Sequence, residues 1–398
     1  MYLADLDYDE IKRLIIDLRE PYFRAGQLYG WLNLGARPDE MTNLPKSMRK
    51  KLAAIPYGGV TIERKLRSAK DGTLKYLFRL EDENLVEGVL MRYHYGNTLC
   101  LSTQVGCNMG CRFCASTLEG CVRNLRIGEM LGQILAVERD EPAEPGHRTV
   151  TNLVLMGSGE PLDNYDNVTA FLRRVTAQDG LRISPRNISV STCGIVPKID
   201  SFIEDAPHVT LSVSLHAHDD ETRSFLMPVN KAYPISDVVA AAKRYAEKTG
   251  RRVVFEYALI GGVNASLSDA DGLAKLLRGI LCHVNLIPLN PVPERGLDGV
   301  SRAEAERFCA HLNQLNISAT VRRELGTDID GACGQLRRRV LHEIRSENCH
   351  RKTAAQRGQL SAAQRMSGYL PVCRRGRHGR ARGGRGCQQA AGGRPFGG

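Results

Sequence analysis

Near the start of the chain apolar residues recur at helical spacing. Ile11, Leu14, Ile15 and Leu18 share one face, and Asn43-Leu44-Pro45 interrupts the pattern before a second apolar pair, Met48 and Leu52. Short helices with polar turns are expected over residues 9–55, forming a small helical domain of residues 1–58. Beyond residue 60 the period shortens. Residues 75–80 and 85–91 alternate as strands around the turn-forming 81–84, which predicts a β-hairpin within a linking region of residues 59–97.

From residue 99 strands rich in Val, Ile and Leu alternate with helical stretches. The predicted strands are 99–102, 152–156, 187–191, 209–214, 252–258 and 283–289. Strands separated by helices imply parallel pairing with right-handed crossovers, so the fold class is α/β, as a barrel or an open sheet. In either architecture chemistry gathers in the loops after the carboxyl ends of the strands. The suggestive residues fall there: a cysteine loop after the first strand, Gly157-Ser158-Gly159-Glu160-Pro161 after the second, Ser191-Thr192-Cys193 at the third, Ser214-Leu215-His216 at the fourth and Asn290 after the sixth.

The cysteine loop carries the strongest chemical signal. Cys107, Cys111 and Cys114 stand in a C-x3-C-x2-C run with no fourth ligand nearby. A structural zinc site wants four protein donors, whereas a 4Fe-4S cluster held by three thiolates leaves one iron open to a small molecule. The alternative is a zinc loop completed by a distant Cys or His.

Charge changes the picture less than its total suggests. The net charge is +11, yet residues 349–398 hold eleven Lys or Arg and no acid, so the other 44 basic residues match the 44 acidic ones. RNA affinity of the body would have to come from local patches such as Arg49-Lys50-Lys51, Arg64-Lys65-Leu66-Arg67 and Arg337-Arg338-Arg339. Residues 348–398 lack apolar periodicity and read as a disordered basic tail or a frameshifted end. No run approaches roughly 20 apolar residues, and the acidic amino terminus lacks a signal-peptide pattern, so a cytoplasmic location without membrane contact is expected. Twelve cysteines in a reducing compartment point to ligands and reactive thiols rather than a disulfide framework.

Five ordered motifs carry a specific resemblance: residues 100–107 extending through Arg123-Asn124-Leu125, residues 156–162, residues 191–198, Ser214-Leu215-His216, and residues 326–336 around Cys333. Together they resemble the RlmN/Cfr family of radical S-adenosylmethionine (SAM) RNA adenine methyltransferases over residues 9–345. The resemblance implies an incomplete (β/α)6 barrel over residues 98–347 behind an RNA-binding helical domain, one 4Fe-4S cluster on Cys107, Cys111 and Cys114, and two SAM consumed per turnover. It implies that Cys333 accepts a methyl group from the first SAM. A deoxyadenosyl radical from the second then removes a hydrogen, and the methylene radical adds to adenine, joining RNA to the enzyme. Cys100 matches the resolving thiol that releases the product by disulfide formation. Read alone, either cysteine is a small buried hydrophobe.

The same resemblance assigns the remaining site. Gly159 and Glu160 match the turn that binds the SAM amino group, while Ser191, Ser214, Leu215, His216 and Asn290 match further SAM contacts. Glu87 matches the acid-base residue, handling the proton at carbon 2; as an isolated strand glutamate it would be a solvated side chain. Implied partners are 23S rRNA and tRNA and a flavodoxin- or ferredoxin-like electron donor, with the enzyme a monomer. Two alternatives stay open: the branch that methylates carbon 8 and confers antibiotic resistance, and a non-catalytic iron-sulfur RNA-binding protein.

Overall fold

The computed structural model describes residues 1–290, 292–329, 336, 337, 339 and 340. Cys333 and the expected tail of residues 348–398 lie outside the described residues. Three helices open the chain: α1 (Tyr8–Asp17), α2 (Arg24–Asn33) and α3 (Lys46–Ala53). Helix α1 starts at a capping box in which Asp7 and Glu10 each accept the other's backbone amide. The apolar faces of the three helices close over a core that includes Ile11, Leu14, Ile15, Leu28, Leu32, Met48 and Leu52. This core is tied to the rest of the chain by the buried Arg174, whose guanidinium donates to the carbonyls of Ala4 (2.7 Å) and Leu6 (3.0 Å).

Four antiparallel strands follow: β1 (Val60–Arg67), β2 (Leu74–Leu80), β3 (Leu85–Tyr93) and β4 (Gly96–Cys100). The expected hairpin is thus the middle of a longer meander. Next comes a two-stranded ribbon of β5 (Gln104–Gly106) and β6 (Cys121–Asn124), then α4 (Ile127–Asp140). The alternating part of the chain comprises β7 (Asn152–Leu155), α5 (Tyr165–Thr176), β8 (Ile188–Thr192), α6 (Val196–Asp205), β9 (Thr210–Ser214), α7 (Asp220–Leu226), α8 (Ile235–Thr249), β10 (Val253–Leu259), α9 (Leu267–Leu277), β11 (Cys282–Pro288), α10 (Arg302–Gln314) and β12 (Ala319–Val321).

All strands except the ribbon join one sheet in the order β1-β2-β3-β4-β7-β8-β9-β10-β11-β12. Strand β4 is the pivot, antiparallel to β3 on one side and parallel to β7 on the other. Every pairing from β4 to β12 is parallel, and the order follows the sequence, as in an unclosed (β/α)6 barrel with one short extra strand. The expected six parallel strands are all present.

Side-chain alternation separates the two faces of this sheet. Facing the helices are Leu99, Leu153, Val190, Leu211, Val213, Phe255, Val284 and Leu286, packed with Phe171, Phe202, Tyr245, Leu273 and Phe308. The other face is largely polar. Cross-strand register puts Ser191 beside Ser212, Ser214 beside Glu256, and Glu256 beside Asn285. Cys100 lies on that same inner face, level with Val89 and Val154.

Candidate active site

The loop that carries the three cysteines is the tip of the β5–β6 ribbon, closed at its base by the Cys107 amide donating to the Gly120 carbonyl (3.0 Å). A Cβ on Gly106 would sit 2.0 Å from that carbonyl, and its φ of +80° suits glycine, so the ribbon closes only with glycine there. Within the loop the Thr117 hydroxyl spans the carbonyls of Cys111 and Cys114, both at 3.0 Å, and Arg295 donates to Thr117 (2.8 Å). The three thiols face one cavity of about 530 Å³.

Residues from every parallel strand end meet them there. Cys100, Gly159, Glu160, Ser191, Ser214, His216 and Asn290 all line the same cavity. Leu215 does not; it is fully buried, with its amide on the Glu256 carbonyl (3.0 Å). Glu87 lines a separate small cavity with Ser116, Glu119, Ser158 and Arg337. There it is ion-paired to the buried Lys75 (3.2 Å) and accepts the Arg337 amide (2.5 Å).

The polar residues are held in defined states. Glu160 is buried, and its two oxygens accept amides from Leu162 (3.0 Å) and Cys193 (2.7 Å). Burial raises its pKa, and the two amides offset part of that shift. A bound ammonium would compensate the rest. Gly159 makes this turn possible: its φ is +113°, and a Cβ would lie 2.7 Å from the Gln104 backbone. His216 also adopts positive φ, +57°, and is buried. Its Nδ1 accepts the Ala258 amide (2.9 Å), which leaves the proton on Nε2. Burial, and then the nearby Arg223 guanidinium, push its pKa down to about 3. His216 therefore offers a neutral N–H donor at all physiological pH values.

The donor set fits a thiolate-held cluster. Burial pushes the Cys107 thiol up to about 12 and raises Cys111 as well, so bare thiols would stay protonated. Metal binding removes that cost by taking the thiolates directly. Among the described residues no three His, Cys, Asp or Glu side chains converge on a single ion. In a cube of irons each thiolate holds its own metal atom, so three thiolates leave one iron open.

Comparison with known proteins decides the family. Residues 1–57 match the ribosomal RNA large subunit methyltransferase N-terminal domain, and residues 101–270 match the radical SAM superfamily. A protein from Alkaliphilus oremlandii named "Probable dual-specificity RNA methyltransferase RlmN" is 50% identical over 341 residues, 85% of this chain and 98% of that protein. A Clostridioides difficile protein of the same name is 48% identical over 85% of this chain and 97% of its own length. The crystal structure of a radical SAM methyltransferase from Sphaerobacter thermophilus is 44% identical and superposes with a TM-score of 0.79, covering 84% of this chain and 98% of that one. The chain belongs to the RlmN family of radical SAM RNA methyltransferases.

Membership of the RlmN family implies a 4Fe-4S cluster and SAM, and Cys107, Cys111 and Cys114 are thiolates able to hold the cluster. Motif reasoning missed the residues that frame this site. Arg223 is fully buried and donates to the carbonyls of Cys193 (2.6 Å), Leu215 (3.2 Å), Ser214 (3.3 Å) and Tyr233 (3.3 Å) and to Asn230 (2.8 Å), locking the third and fourth strand loops together. Glu256, buried and accepting Asn285 Nδ2 (2.7 Å), adds a second carboxylate to the cavity. Only a lone Glu inside an apolar strand pattern could have signalled it. No described helix is long and apolar enough to cross a membrane.

Proposed function

We propose that this enzyme methylates carbon 2 of an adenosine in 23S rRNA and of adenosine 37 in tRNA, with Cys333 as methyl carrier and Cys100 as resolving thiol. The observation that carries the reading is Cys100. A buried thiol, on the inner face of the sheet and seven residues before the first cluster cysteine, it faces the same cavity as all three. A fourth thiol there would serve a cluster poorly, since it lies on a strand rather than in the loop. It suits attack on a sulfur brought into the cavity.

Carbon 2 lies between two ring nitrogens and is too electron-poor to attack a methyl sulfonium. The cluster and SAM, when bound, supply the one-electron chemistry that side chains lack. The protein's own residues do the rest. Glu160 would hold an ammonium, and His216 would donate one neutral hydrogen bond. Cys333, methylated at the expense of one SAM, would carry the one-carbon unit to the base, with a second SAM consumed in its activation. Cys100 would attack the Cys333 sulfur to free the RNA, leaving a disulfide for reduction.

Glu87 would reach the base as a proton acceptor only after leaving Lys75 and the Arg337 amide. The dual-specificity name shared by the relatives supports two RNA substrates, and carbon 2 is chosen over carbon 8 as the commoner, housekeeping activity of the RlmN/Cfr family. A flavodoxin- or ferredoxin-like donor, a cytoplasmic setting and a monomeric enzyme complete the proposal.

Two measurements test it. Mass spectrometry of RNA digests from cells with and without the gene should show loss of 2-methyladenosine; loss of 8-methyladenosine instead would overturn the regiochemistry. Cys100→Ala should trap RNA covalently through denaturation, and Cys100→Ala/Cys333→Ala should not. Equal trapping by both would remove Cys333 as carrier.

A further inference from the structure

Strands β3 and β4 meet at a turn whose aromatic residues have no part in the site described above. Tyr93 and Tyr95 stack with ring centroids 4.9 Å apart and planes within 7°, and His94 meets Tyr95 edge-on at 5.0 Å. The inner ring packs beside the wall of the cavity: Tyr93 lies against the cluster of Val89, Met91 and Cys100, which line it, and its hydroxyl reaches the Met91 sulfur (3.6 Å). The outer ring, Tyr95, is 61% exposed. The stack therefore runs from the resolving thiol's own neighbours out to solvent.

The turn is built to hold this position. Gly96 has φ of +135°, and a Cβ there would lie 2.3 Å from the Thr151 hydroxyl. Asn97 Nδ2 donates to the Thr149 carbonyl (2.9 Å), and the Thr151 amide returns a bond to the Asn97 carbonyl (3.0 Å). Charge is placed beside it as well. Burial raises the Tyr93 pKa, and the charges of Arg322 and Arg323 are near enough to offset part of that; both line the cavity, and Arg323 is exposed.

A single exposed tyrosine needs no explanation. A two-ring stack that starts against residues lining the cavity, ends with exposed aromatic surface and has an exposed, cavity-lining arginine near its inner ring is different. RNA is read mainly where unpaired bases can be splayed and stacked on aromatic rings, while cations hold the backbone. We propose that Tyr95 is a stacking platform for an unpaired base adjacent to the adenine being modified, with Arg323 on the neighbouring phosphate. The inference rests on the reading that the cavity accepts an adenine of RNA. It adds a specificity: the substrate must present an unstacked flanking nucleotide, so the enzyme selects loops over continuous helices.

The test uses the full-length, cluster-loaded protein and a stem-loop RNA whose target adenosine is flanked by 2-aminopurine. Binding should change the 2-aminopurine fluorescence in wild type and in Tyr95→Phe, which keeps the ring. Tyr95→Ser should abolish that change and weaken binding by about 10-fold. The same variant should bind a matched RNA with the flanking nucleotide base-paired as wild type does. Arg323→Ser should lower the salt dependence of binding by about one ion. Unchanged cluster absorbance and thermal unfolding would show that Tyr95→Ser is folded. If wild type binds the stem-loop but Tyr95→Ser binds it equally well, or Tyr95→Phe falls as far as Tyr95→Ser, the platform is wrong. If wild type binds neither RNA, the underlying substrate reading fails instead.

Discussion

The two flanks of the cavity bury their polar groups by opposite means. On the antiparallel flank, Lys75 on β2 and Glu87 on β3 are both out of solvent and neutralise each other as an ion pair. On the parallel flank, His216 is buried with no opposite charge paired to it among the described residues and stays neutral, and the Arg223 guanidinium is spread over carbonyl oxygens and one amide oxygen. A paired charge fixes two segments against each other but leaves a liability if either member is lost. A neutral or carbonyl-solvated group fixes a loop without needing a counter-charge, so the cavity can accept a charged cofactor beside it. The first flank is suited to clamping chain segments and the second to receiving a ligand.

The largest expected effect tests the clamp. Lys75→Met should leave the Glu87 carboxylate buried without its cation and cost about 3–5 kcal/mol in denaturant unfolding. Lys75→Met/Glu87→Met should recover much of that loss, because apolar replacement of both members removes the unpaired charge. Hydrogen exchange should report the same asymmetry at the Arg337 amide, which bonds to Glu87. It should quicken in Glu87→Ala and less so in Glu87→Gln, which keeps an acceptor. If the single and double variants are equally unstable, the pair does not behave as an ion pair.

Arg223→Met probes the other flank. Carbonyls of Cys193, Ser214, Leu215 and Tyr233 would lose a donor inside the protein. A loss on the order of 3 kcal/mol is expected, moderated because no carboxylate is left unpaired. Loop order should suffer more than the sheet: limited proteolysis should cut near residues 193 and 215 before it cuts the strands. Uniform unfolding would show that Arg223 supports the whole sheet rather than these two loops.

These two flanks were unequally legible in the amino-acid sequence. The strands facing helices on one side announce themselves as apolar runs, and that signal places six of the seven parallel strands, all but the short β12. The ligand-bearing loops followed, because they occupy the carboxyl ends of those strands and carry dense motifs. Arg223 and Glu256 stayed hidden, since a charged residue in a helix or strand pattern reads as solvent-facing until tertiary packing encloses it. The same default applied to Glu87 when read alone, although the structure buries it at 4% exposure against Lys75. The β1–β4 meander was half seen: polar residues in β1 alternate with exposed positions and mask the strand, while β2 and β3 are nearly continuous in burial. Leu215, which the motif match sets among the cofactor contacts, packs its side chain into the core, so a contact there would have to come from its backbone.

His216 gives a smaller, pH-dependent effect. In the unfolded chain the imidazole takes up a proton as pH falls through about 6.5, whereas in the folded protein it does not until about 3. The unfolded state binds more protons across that window, so stability is unaffected above it and falls within it by about 1.4 kcal/mol per pH unit. Urea unfolding at about pH 6 and pH 5 should show His216→Gln losing roughly 1 kcal/mol less than wild type between the two. Identical losses would mean that His216 is solvated or charged, and that the parallel flank is not a neutral one.

The smallest expected effect concerns Cys121, which stands at the base of the ribbon, close enough to Cys107 for its charge to be felt there. Its amide donates to Asn108 Oδ1 (2.7 Å), a bond that the side chain does not contribute to. Cys121→Ala keeps the ribbon's hydrogen bonds and should shift stability by less than about 0.5 kcal/mol. Anaerobically reconstituted Cys121→Ala should hold about four irons and four sulfides, as wild type does. Each of Cys107→Ala, Cys111→Ala and Cys114→Ala should lose most of both. Loss of iron from Cys121→Ala would make Cys121 a fourth thiolate and overturn the reading that Cys107, Cys111 and Cys114 alone would hold the cluster.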